Sequence, residues 1–197
     1  MSMWKNWIFD MDGTLTVPKH DFAQIRSLLS IPSEGDILTH IASLPLEEQK
    51  KSHALLYQWE YDIALQGEAS EDAKDLLEYL SEQDCRLGIL TRNKKELARI
   101  TLEAAGLIDY FSLDVILGRD CALPKPNPEG IHYICSQWKV APKDVVMVGD
   151  YIYDIEAGQR AGTSTIHIVR EEDSMCISAA SKNADYVCRT LRSFIWT

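Results

Sequence analysis

The stretch WIFDMDGTLT, residues 7–16, places three bulky apolar side chains directly before two acids that stand two positions apart, followed by a glycine and two hydroxyl residues. A short apolar run of this kind reads as a buried strand, NWIFD over residues 6–10, and DGT then turns the chain. Two carboxylates this close repel one another, and at the edge of an apolar core each also loses hydration. The pattern requires something positive between them.

Around this stretch, 197 residues of 46% hydrophobic composition suffice for one well-filled core, or for a core domain carrying a smaller insertion. No apolar run approaches the roughly 18–20 residues that cross a bilayer, and Asp10 arrives before any signal-like segment develops, so the expected setting is the cytoplasm. Cys85, Cys121, Cys135, Cys176 and Cys188 are odd in number and widely spaced, and read as reduced packing residues rather than a disulfide framework or a metal site. A net charge of -10 argues against nucleic acid and anionic membranes as partners. If the substrate is an anion, a metal or a few local cations must offset that field. Oligomeric state is not legible.

From Val17 to about Gly67 the apolar residues recur at helical spacings, in DFAQIRSLLS, GDILTHIASL and LEEQKKSHALLYQWEYDIALQ, with Pro18, Pro32 and Pro45 at or near the expected helix starts. After Gly67 helices and strands alternate. SEDAKDLLEYLSEQ is a helix opened by Ser70, RLGILT a strand, KKELARITLEAAG a helix, LDVIL a strand, NPEGIHYICSQW a helix, DVVMVGD a strand, YDIEAGQRAG a helix, and STIHIV and DYVC strands. TLRSFIW closes the chain. The expected fold is α/β, a Rossmann-like parallel-sheet core interrupted after its first strand by an all-helical insertion.

Ligands of open parallel sheets bind beyond the carboxyl ends of the strands. Four such ends carry polar residues here: Asp10, Thr91, Gly149 with Asp150, and the loop holding Lys125. Asp10, Asp12, Asp150 and Asp154 in one crevice call for a hard cation, and Mg²⁺ suits oxygen ligands best. With it present, Asp10 is the natural nucleophile toward phosphorus, and Asp12 the acid and base. Gly13 permits a tight turn, so that nearby amides and the Thr14 hydroxyl can approach a phosphate. Thr91 offers a hydroxyl and Lys125, stiffened by Pro124 and Pro126, a point charge.

FDMDGTLT, ILTRN, KPNPEG and MVGDYIYDIEAGQRAG, in that order, resemble the four motifs of the haloacid dehalogenase superfamily of phosphohydrolases, in its phosphoglycolate-phosphatase-like branch with a helical cap. The resemblance covers essentially the whole chain. It implies a core of residues 1–14 and 69–197 and a cap of residues 15–68. It also implies Asp10 as nucleophile and metal ligand, and Asp12 as acid and base whose carbonyl faces the metal. Thr91 and Lys125 would hold the phosphoryl group, Asp150 would bind Mg²⁺, and Asp154 would bind or support it. The implied activity is Mg²⁺-dependent hydrolysis of a small phosphate monoester, phosphoglycolate-like or sugar-phosphate-like, through an aspartyl-phosphate.

Plainer readings stand beside these. Asp150 and Asp154 suit a helix N-terminus, Thr91 can cap a helix, and Lys125 can be a solvated loop cation. Arg92 and Asn93 stay unassigned between substrate contact and surface. His20, His40, His53, His132 and His167 lack metal spacing and read as surface or packing residues. Tyr57, Trp59 and Tyr61 read as a packing stripe, while Lys19 and Arg26 can meet a substrate's far end. Residues 15–68 carry four cations against eight acids, which offers little attraction to strongly anionic substrates. A dehalogenase is disfavoured by Asp12; a phosphomutase, a phospho-accepting receiver and a catalytically silent binding protein remain as alternatives.

Overall fold

The computed structural model describes residues 4–32, 35–170 and 177–195; Cys176 and Trp196 lie outside the described residues. Six parallel strands form one sheet: β1 (Asn6–Phe9), β2 (Arg86–Leu90), β3 (Ile116–Leu117), β4 (Val145–Gly149), β5 (Ser164–Ile168) and β6 (Tyr186–Cys188). Their spatial order is β3-β2-β1-β4-β5-β6. The order reverses between β1 and β4, which opens the crevice where α/β sheets bind ligands. Phe9 pairs with Val148 across that seam, and the Asp10 amide donates to the Val148 carbonyl at 2.8 Å. The acids that follow the two strands, Asp10 and Asp150, are therefore neighbours by register.

Strand periodicity divides the core. Trp7 and Phe9 of β1 join Val146 and Val148 of β4 on one face, with Leu76, Leu77 and Leu80 of α4 (Ala73–Glu82) and Ala98 and Leu102 of α5 (Lys95–Ala104). Ile8 and Met147 point the other way, into Ile131 and Ile134 of α6 (Glu129–Trp138) and Ala157 of α7 (Ile152–Ala161). Being covered on both faces is why β1 from Trp7 to Phe9 and β4 from Val145 to Val148 are apolar without interruption. The last helix, α8 (Ile177–Asn183), precedes β6.

Between β1 and α4 lie three helices, α1 (Phe22–Leu28), α2 (Ile37–Ser43) and α3 (Leu46–Ala64), around a small cluster of Ile25, Ile41 and Leu56. Asp21 and Asp36 cap the first two through the amides of Gln24 and Thr39, and Pro45 precedes the third. The expectation that Pro18 and Pro32 mark helix starts gives way to these aspartates, whose side chains supply an acceptor that proline lacks. The chain leaves and regains the sheet layer beside itself: Thr16 bridges Ala69 antiparallel, the Val17 amide donates to Glu68, and the Ser70 amide to Leu15.

Two other expectations shift. Ser70 does not open α4; Asp72 stands at its N-cap, and the Ser70 hydroxyl donates instead to the Thr14 carbonyl at 3.2 Å. LDVIL is a strand only at Ile116–Leu117, because Leu113–Val115 form a 3₁₀ turn. Among the described residues no helix is long and apolar enough to cross a membrane.

Asp72 is buried and joins four segments. It accepts from Arg170 at 2.8 Å, from the Thr190 hydroxyl and the Leu191 amide at 2.6 Å each, and from Ser70 at 3.3 Å. Arg170 in turn donates to the Thr14 carbonyl at 2.6 Å. Burial opposes the Asp72 charge, but the bonds from Thr190, Arg170 and Leu191 outweigh it and hold its pKa below the usual carboxylate value. Its stabilising effect is therefore complete above the ordinary carboxylate pKa and is lost as pH falls through the lower folded value. Asp72→Asn is expected to cost about 1–3 kcal/mol at neutral pH. In urea titrations the gap to wild type should persist down to about pH 4 and close below it.

Candidate active site

The loop after β1 turns sharply at Gly13, whose φ of +85° belongs to the region glycine tolerates. A Cβ there would lie 2.1 Å from an Asp150 carboxylate oxygen, so the absence of a side chain lets the two acidic loops approach. Gly149 plays the same part for Asp154, since a Cβ at 149 would fall 2.2 Å from that carboxyl carbon. Asp10, Asp150 and Asp154 each bring a carboxylate oxygen within 4.8 Å of the others.

Lys125 provides the positive charge that the opening stretch demanded. Its ammonium lies 2.6 Å from Asp10 and 2.6 Å from Asp154, and it is buried. Burial alone would lower its pKa; the two carboxylates outweigh that and raise it, so the lysine stays charged. Lost hydration pushes Asp10 up to about 6, against the pull of Lys125. Asp12 is pushed up to about 7, by burial first and the Asp10 charge second. Asp150 is raised well above the carboxylate range by burial and then by Asp10 and Asp154. Three acids with raised pKa values around one lysine form an anionic pocket short of positive charge. Oxygen donors in this number could hold a hard cation such as Mg²⁺.

Asp10, Asp12, Thr91, Lys125, Asp150 and Asp154 all line one cavity of about 410 Å³. Gly13 and Thr14 do not. Their amides donate to Thr16 and Met11 within the turn, and the Thr14 hydroxyl, fully buried, points to Asp10 at 3.4 Å. Gly13 and Thr14 therefore sit behind the acids, outside the lining of the cavity. Thr91 is buried, and its hydroxyl accepts from the Asn93 amide at 3.1 Å.

Several contributors escaped the sequence reading. Asn93 donates to the Asp12 carboxylate at 2.8 Å and fixes its orientation. His167, buried on β5, reaches the Asp150 carbonyl at 3.0 Å and the Ser181 hydroxyl at 2.8 Å. Since a carbonyl only accepts, Nε2 carries the proton and Nδ1 accepts from Ser181. His20 stands beside Asp12, with Nδ1 3.7 Å from a carboxylate oxygen, and burial lowers its pKa. Arg92 pairs with Asp36 at 2.6 Å and covers the Tyr153 ring at 4.7 Å from its centroid. Arg119 grips Glu60 of α3 with two bonds of 2.7 and 2.8 Å and also donates to the Arg92 carbonyl. Apart from His20 with Asp12, these pairs join residues 14–81 positions apart, a separation at which sequence periodicity carries no signal.

The family model described as haloacid dehalogenase-like hydrolase matches residues 17–168. A haloacid dehalogenase-like hydrolase domain-containing protein of Arabidopsis thaliana is 35% identical over 80% of this chain and 68% of its own. A pyrophosphatase of Listeria welshimeri is 30% identical over 80% of each chain. Among solved structures, a predicted phosphoglycolate phosphatase from Haemophilus somnus superposes with a TM-score of 0.75 over 97% of this chain and 96% of its own, at 22% identity, a likeness of fold. The family match, the plant relative and the shared architecture agree with the four polar strand ends, and the chain belongs to the haloacid dehalogenase-like hydrolases.

Proposed function

We propose that the chain is a Mg²⁺-dependent phosphatase for a small phosphate monoester, acting through an aspartyl-phosphate on Asp10. The observation that carries this reading is the convergence of Asp10, Asp150 and Asp154 on Lys125, with Asp12 held alongside by Asn93. The carboxylates of Asp10 and Asp150 and the backbone carbonyl of Asp12 would hold the ion, with Asp154 binding or supporting it. When bound, Mg²⁺ would neutralise the acids and draw charge from the phosphoryl oxygens.

Asp10 attacks phosphorus as the bond to the alcohol oxygen breaks, and Asp12 gives that oxygen its proton. In the second half Asp12 takes a proton from water, which attacks the aspartyl-phosphate and releases inorganic phosphate. Lys125 and Thr91 hold the phosphoryl group while its charge redistributes. The raised pKa of Asp12 fits this work, because an acid that keeps a proton near neutral pH can also return it. Residues 15–68 serve as the cap over a core of 1–14 and 69–197. The Glu60–Arg119 pair would seat the cap on the core and limit bulk water during the first step.

Phosphate release from a panel of esters, with and without Mg²⁺, tests the reading. Asp10→Asn should fall to background, Asp12→Ala should lose about 10²–10⁴ in rate, and removal of divalent ions with a chelator should abolish turnover reversibly. Activity surviving in Asp10→Asn would overturn the nucleophile; phosphoryl transfer between positions of a sugar without free phosphate would indicate a mutase. Asn93→Ala, which leaves Asp12 in place but unguided, should lower kcat by about tenfold to a hundredfold with a smaller change in KM.

A further inference from the structure

The cavity over the acids offers far more room than a phosphoryl group needs, and its wall identifies the partner of that group. Six carboxylates line it against four cations. Three of those cations already hold carboxylates: Lys125 holds Asp10 and Asp154, Arg92 holds Asp36, and Arg119 holds Glu60. The fourth, Arg26, donates to the Gly35 carbonyl at 3.1 Å and lies over the Phe22 ring, 5.9 Å from its centroid. A divalent ion would bring the wall to neutrality, and the phosphoryl dianion would then return it to negative. A second anion on the leaving group would find only Arg26 without a carboxylate partner among the cations of this wall, and that guanidinium is already turned to Gly35 and Phe22; elsewhere it would have to displace Asp36 or Glu60 from its arginine.

The same wall is well furnished for a ring. Phe22, half exposed, stacks with His20 at 5.5 Å between centroids, and Trp59 meets His20 edge-on at 5.4 Å. Opposite charges joined in planar pairs, Arg92 with Asp36 and Arg119 with Glu60, set donors beside acceptors, the arrangement that adjacent hydroxyls match. Burial works against the charge of Asp36, but bonds from Thr39 and Arg92 hold its pKa below the usual value.

We propose that the alcohol half of the substrate is an uncharged, hydroxyl-bearing ring, a sugar or cyclitol, and that the site disfavours esters whose leaving group carries a second negative charge. This rests on the phosphatase reading, and it separates this chain from pyrophosphate and phosphoglycolate, for which some of its relatives are named.

Initial rates with Mg²⁺ on p-nitrophenyl phosphate, a hexose phosphate, an inositol monophosphate, phosphoglycolate and pyrophosphate test it. The ring esters should exceed both doubly anionic compounds by about tenfold or more in kcat/KM. Asp36→Asn, which keeps the helix cap and frees Arg92, should raise kcat/KM for phosphoglycolate by about tenfold and lower it for the hexose phosphate. If that variant shows a lost thermal transition, Glu60→Gln provides the same test through Arg119. A wild-type preference for phosphoglycolate or pyrophosphate, or no shift toward phosphoglycolate in a folded variant, overturns the inference while aryl phosphate hydrolysis upholds the phosphatase. Failure to hydrolyse any ester overturns both.

Discussion

The site depends on one buried ammonium group. Lys125 stands 2.6 Å from Asp10 and 2.6 Å from Asp154, where several acids at the mouth of an apolar sheet would otherwise repel each other or take up protons. Even so, the lysine does not satisfy the pocket, since Asp10, Asp12 and Asp150 all have pKa values raised by burial and by one another. A crevice of oxygen donors left short of positive charge has the chemistry that suits a hard cation. The sheet supplies the rigidity: the β1–β4 register fixes where Asp10 and Asp150 emerge, and two glycines let their loops close up.

Much of this was legible in the sequence because the signals are local. Trp7 to Phe9 and Val145 to Val148 are apolar without interruption since both faces of those strands are covered, and Asp10 follows the first run directly while Asp150 follows the second after Gly149. The helical insertion announced itself by spacing alone. β3 was overestimated because LDVIL has strand-like composition, while its first three residues form a tight turn. Ser70 looked like a helix cap because serine is a good one, but Asp72 occupies that position and Ser70 binds the loop of Thr14.

What stayed hidden is the pairing of polar side chains across the fold. Nothing in TRN says that Asn93 will reach Asp12, nor does any pattern join Glu60 to Arg119 or Asp72 to Arg170. His167 looked like strand filling, yet it holds the Asp150 carbonyl and takes its proton position from that bond. Such contacts depend on topology, and one chain read in order shows only what lies within a turn or a strand. Gly13 and Thr14 illustrate the converse: their residue types suit phosphate binding, and the turn uses their amides internally.

The backbone pairing of residues 15–17 with 68–70 means that the helical block hangs from the sheet layer by two adjacent segments. Everything that moves the block must bend that narrow neck, and everything that alters the block's inner wall can do so without disturbing β1. The four acids and Lys125 all lie outside it, on the loops that follow the strands and in the first turn of α7. Substitutions in the helices can therefore reshape the far wall of the cavity while the acids and Lys125 stay where the sheet sets them.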